Sequence, residues 1–95
     1  MGDGDERRSA LNALKTLDDA VTVLIQRNAA YGEPIESMSA IAARWSVTLG
    51  VTITPAQVVL CMIDLKLARL ARNPQHRDSV IDVIGYAALL PEVSQ

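Results

Sequence analysis

The sequence predicts an all-α fold: a compact four-helix domain with short connections, assembled as an oligomer. Three observations predict it. Apolar residues recur at three- and four-residue spacing through most of the 95 residues. Helix-stop signals at Gly32, Gly50 and Asn73-Pro74 separate those runs. The extended link Val51-Thr52-Ile53 is too short and isolated to argue for a sheet.

The first helix is expected over roughly 10–30, with Ser9 as its N-cap. Its apolar stripe is Leu11, Leu14, Leu17, Val21, Leu24 and Ile25, and Lys15, Asp18, Asp19 and Thr22 mark a wetter side. Gly32 suits the left-handed position past its end. A second helix is expected over roughly 35–49, with Ile35, Met38, Ile41, Ala42, Trp45 and Leu49 inward and Gly50 as its stop. The third has the clearest start. Thr54 is an N-cap, Pro55 follows at the first helical position, and Gln57 stands three after the cap, which together make a capping box. Its stripe is Val59, Leu60, Ile63, Leu67, Leu70 and Ala71, yet Val58, Met62 and Leu65 make the other side apolar too. A helix apolar nearly all round is central to a fold or an oligomer. The fourth is capped by Asp78 or Asn73 and runs to about Leu90, before Pro91. The domain thus spans 9–91, between a solvated, disordered tail at 1–8 and a frayed end at 92–95.

Composition narrows the function. With 49% hydrophobic residues, so short a chain buries its apolar surface poorly alone, which argues for a homo-oligomer. The formal net charge of −2 gives no general attraction to nucleic acid. Residues 40–63 have the outline of a helix-turn-helix. The would-be recognition helix, Pro55-Ala-Gln-Val-Val-Leu-Cys-Met, offers almost nothing to phosphates or base edges, so nucleic acid is not an expected partner. The single cysteine, Cys61, lies in an apolar run and reads as a buried, reduced thiol of a cytoplasmic protein. No apolar run has the roughly 20 residues that span a bilayer.

The candidate site lies within Met62–Tyr86. Asp78, Asp82, Gly85, Tyr86 and Leu89 share one face of the fourth helix. The rest of that helix is apolar, so Asp82 is expected at or near an interior, where a carboxylate needs a partner or a metal. The functional reading makes Asp78 and Asp82 ligands of a hard divalent cation. The alternative has Asp78 capping the helix and Asp82 paired with Lys66 or Arg69. Arg27, Lys66, Arg69, Arg72 and His76 are candidate phosphate contacts or, equally, helix-end charges and internal pairs. Tyr31 and Tyr86 are candidates to stack on a base or to close a pocket. Gly85 costs about 1 kcal/mol against Ala in a helix, which points to close approach of another helix or a ligand.

These residues also carry a family resemblance. Arg27-Asn-Ala-Ala-Tyr31-Gly32-Glu33-Pro34 fits R-x3-YG-x-P, and Trp45 to Thr54 fits W-x3-LG-x-x-IT. Lys66, Arg69, Pro74, His76, Asp78, Asp82 and Gly85-Tyr86 fit K-x-x-R…P-x-H-x-D-x3-D-x-x-GY. Over about 27–89 the chain resembles small phage and prophage proteins of unassigned function. More distantly, it is similar to the all-α MazG-type nucleoside triphosphate pyrophosphohydrolases. That likeness implies a MazG-like helical architecture and a nucleotide site between the third and fourth helices. It implies that Asp78 and Asp82 hold Mg2+ and serve catalysis, with Asp64 or Glu36 assisting. Lys66, Arg69 and Arg27 would face the phosphates. The chain departs from that group in lacking a Glu-x-x-Glu pair on the earlier helix, since Glu33 and Glu36 straddle Pro34. A nucleotide binder without turnover, or a purely structural helical oligomer, fits the same residues.

Overall fold

The computed structural model describes residues 2–94, with side chains from residue 11 onward. Four helices follow one another: α1 Gly2–Tyr31, α2 Pro34–Leu49, α3 Pro55–Arg72 and α4 Arg77–Val93. The architecture is all-α, as the spacing predicts. Helix α4 lies at the centre and packs on α3, α1 and α2, while α2 also packs on α3. The molecule measures 57 × 29 × 22 Å.

The stop and start signals act where the sequence puts them. Gly32 and Gly50 adopt φ of 81° and 71°, the left-handed conformation that ends a helix without a Cβ penalty. Thr54 accepts from the Gln57 N–H at 3.1 Å, and Gln57 Oε1 accepts from the Thr54 N–H at 2.9 Å, with Pro55 between them. The link between α2 and α3 is pinned by Ser46, whose Oγ donates to the Ala42 carbonyl and accepts from the Ile53 N–H at 2.8 Å.

Three boundaries differ from expectation. Helix α1 begins at Gly2 and passes through Ser9, whose side chain lies outside the described residues. Helix α4 is capped at His76, not at Asp78 or Asn73. The His76 carbonyl accepts from the Ser79 and Val80 N–H groups, while Asn73 ends α3 and its Oδ1 accepts from the Gln75 N–H. Helix α4 also continues past Pro91 to Val93. Val93 is buried there, and its burial offsets the hydrogen bond that Pro91 cannot donate.

The buried apolar residues among those described are Ala20, Ala42, Val58, Val59, Ile81 and Val93. They are mostly small or β-branched. Residues expected inside lie half or more exposed: Leu11, Leu14, Val21 and Ile25 on α1, and Leu49 on α2. Leu17, Leu60 and Leu67 are close to half exposed. On α1 the side facing α4 carries Ala20, Leu24 and Arg27, and the apolar stripe largely points away. Cys61, expected to be buried, is exposed on α3.

A polar tie joins α1 to the start of α4. Arg77 pairs with Asp19 and donates to Thr16 Oγ1 at 3.3 Å. Its hydrogen bond, with Lys15 3.5 Å away, holds the Asp19 carboxyl below its ordinary range despite some desolvation. At the same end, His76 Nδ1 and Ser79 Oγ stand 2.7 Å apart, which satisfies the fully buried Ser79 hydroxyl.

Candidate functional site

One face of α4 organises the site. Gly85 is buried beneath α1, with Leu24 Cδ2 only 3.7 Å from where a Cβ would stand. Three residues beyond Leu24, Arg27 lies over the preceding turn of α4, at Asp82. Its Nη2 donates to Asp82 Oδ1 at 2.7 Å. From the other side, Lys66 on α3 brings its Nζ to 3.1 Å from Asp82 Oδ2. One carboxylate therefore holds two cations and links α1, α3 and α4. Asp82 and Lys66 are each 13% exposed, so both charges are largely out of water and depend on each other. Arg27 is 41% exposed, and its guanidinium carbon lies 5.9 Å from the centre of the Tyr86 ring, within cation–π range.

Beside this cluster, α1, α2 and α4 enclose a cleft of about 580 Å³. That volume is in the range of small-molecule sites. Its walls are mostly apolar, with Leu24, Met38, Ile41 and Leu89 among them, and Tyr31 and Tyr86 supply two aromatic rings. Asn28 and Ser37 supply polar groups, and Arg27 is the charged residue among the described walls. No carboxylate is among those walls. Two cations and one anion leave the Arg27–Asp82–Lys66 cluster with one net positive charge at the edge of the cleft.

The predicted site residues divide accordingly. Arg27, Tyr31 and Tyr86 meet at the cleft. Asp82 and Lys66 stand behind Arg27 as its support, outside the lining. The cleft lies among α1, α2 and α4, and not between α3 and α4, the position the resemblance implies. The reason is where α1 crosses: it passes over the Asp82 face of α4 at Gly85, which brings Arg27 to Asp82. Asp82 does pair with Lys66, but its second cation is Arg27 of α1 and not Arg69. Arg69, Asp64 and Asp78 are exposed and do not line the cleft, and His76 is engaged with Ser79. Among the described residues no three His, Cys, Asp or Glu side chains are grouped so as to hold a metal ion. Spacing did not identify Met38, Ile41 and Leu24 as cleft walls, because a pocket-lining apolar residue has the same pattern as a core one. The Asp19–Arg77 tie was equally hidden, since its partners lie 58 positions apart.

Comparison with known proteins adds a family. Residues 14–94 match the model of a family described as a domain of unknown function, DUF6378. The chain belongs to this family. DUF6378 carries no assigned activity in its description. The chain is also similar to the Gene 55 protein of Mycobacterium phage L5, with 41% identity over 69 residues, which is 72% of this chain and 44% of that protein. The Gene 55 protein of Mycobacterium phage D29 is 37% identical over 68 residues, 72% of this chain and 45% of that protein. The chain thus spans less than half the length of these curated relatives. No solved structure matches it. The phage relatives and the family of unknown function agree with the resemblance to small phage proteins of unassigned function, and neither comparison shows a likeness to MazG-type enzymes. No described helix is long and apolar enough to cross a membrane.

Proposed function

We propose that this DUF6378 protein binds a nucleotide in the cleft among α1, α2 and α4. The supporting observation is the meeting of Arg27, Tyr31 and Tyr86 at one apolar cleft without a wall carboxylate. A nucleotide combines a flat aromatic base with a phosphate anion. Two tyrosine rings and an apolar floor suit the base. A half-exposed guanidinium, backed by one net positive charge, suits the phosphate. In this reading Arg27 contacts the ligand, and Asp82 with Lys66 fixes where the guanidinium stands.

The pyrophosphohydrolase resemblance, an expectation of the sequence motifs alone, raises the question of magnesium and turnover. The residues present do not fit a magnesium site as they stand. The Asp82 oxygens face Arg27 and Lys66, and Asp64 and Asp78 are exposed. No hydrolytic step is assigned to them, and binding without turnover is the reading the geometry favours.

The test is thermal melting of the protein against a panel of nucleoside mono-, di- and triphosphates, with and without magnesium. Nucleotide is expected to raise the melting temperature without a metal. Tyr31→Ala, a change at a residue 76% exposed, should abolish that shift while leaving the melting of the free protein nearly unchanged. Stabilisation confined to magnesium, with pyrophosphate released, would replace the binder by an enzyme. A panel that never shifts the transition would leave the cluster as architecture and end the nucleotide reading.

A further inference from the structure

We infer that the outward face of α1 is covered by a second copy of this chain. Leu11, Leu14, Leu17, Val21 and Ile25 form a row along that face, each between 48% and 64% exposed. The row spans about 21 Å at 1.5 Å per residue. The same helix turns Ala20, Leu24 and Arg27 to α4. Helix α1 is therefore apolar on two sides, and the described residues cover only one.

The occupant follows from how little the chain buries by itself. Six buried apolar residues, mostly Ala and Val, form the described core, and no Leu, Met or aromatic side chain is among them. The row's five apolar side chains, each about half exposed, are the kind of surface a dimer removes, at about 800 Å² per partner in a standard interface. A second copy is present at equal concentration whenever the chain is made. A two-fold axis on the row also lets one patch serve both sides of the contact. Lys15 and Asp18, on its edge, carry opposite signs, so two copies do not meet as like-charged surfaces.

The experiment is analytical ultracentrifugation of the full chain beside Val21→Glu. The original chain should sediment as a dimer and Val21→Glu as a monomer that keeps its helical circular dichroism. A second measurement keeps the inference testable should that variant fail to fold. Single cysteines at Leu14, Val21 and Ile25, each with Cys61→Ser, are oxidised in turn, and at least one should crosslink two chains through the row. A monomeric original chain would overturn the inference. So would a dimer that survives Val21→Glu but is broken by Leu65→Glu, because the contact would then lie on the exposed face of α3. Absence of crosslinking at all three positions would overturn it as well.

Discussion

Asp82 holds two cations with two oxygens, so removing its charge leaves Lys66 with no anion in a nearly dry setting. Asp82→Asn is expected to destabilise the chain by about 2 kcal/mol. For a domain of this size that is a fall in melting temperature of about 10 °C. Lys66→Met should cost less, because Asp82 keeps Arg27 at 2.7 Å and the aliphatic stem is replaced in kind. Thermal melting of the two variants checks the order, and equal losses would contradict it. Gly85 gives the opposite expectation. A Cβ there would stand 3.7 and 3.9 Å from Leu24 atoms, which is ordinary contact. Gly85→Ala should therefore gain up to about 1 kcal/mol from helix propensity and raise the melting temperature by several degrees. A lower melting temperature would mean that α1 sits closer to α4 than these distances show.

Between helices, the Asp19–Arg77 tie sets a pH dependence. The folded-state pKa of Asp19 is lowered, first by the hydrogen bond from Arg77. A depressed carboxyl contributes stability that is present above its unfolded pKa and lost as pH falls through its folded pKa. The contribution should thus be intact at neutral pH and fade in the acid range below about 4. Asp19→Asn should remove that part of the acid-side slope in a series of melts, and an unchanged slope would show that the tie contributes nothing. The helices themselves were legible in the sequence because their ends are local chemistry. Thr54, Pro55 and Gln57 settle a helix start among neighbours, whatever the rest of the chain does. The facing of α1 was not legible in the same way. Periodicity finds that Leu11, Leu14, Val21 and Ile25 share a stripe, but it contains nothing about what covers them. Asp82 shows the same limit: its spacing and apolar surroundings announce a partnered carboxylate, while the choice of Arg27 over Arg69 depends on α1 crossing at Gly85.

At the scale of the whole molecule, two linkages distinguish the cleft from the row on α1. A ligand that binds only the folded chain raises stability by RT ln(1 + [L]/Kd), which depends on the free ligand concentration. A second copy does the same in proportion to the logarithm of the protein concentration itself. The melting temperature of the original chain, without ligand, should therefore climb as the protein is concentrated. That of Val21→Glu should stay flat. A nucleotide should then shift both proteins at a fixed protein concentration, since Leu24, Asn28 and Tyr31 of the same chain supply the α1 side of the cleft. If Val21→Glu lost its nucleotide response while remaining folded, the neighbouring copy would have to supply part of the cleft. Val21 and Ile25 of the row stand one turn before Leu24 and Asn28 of the cleft wall on the same helix, so a dimer seam along the row would run beside the mouth of the site.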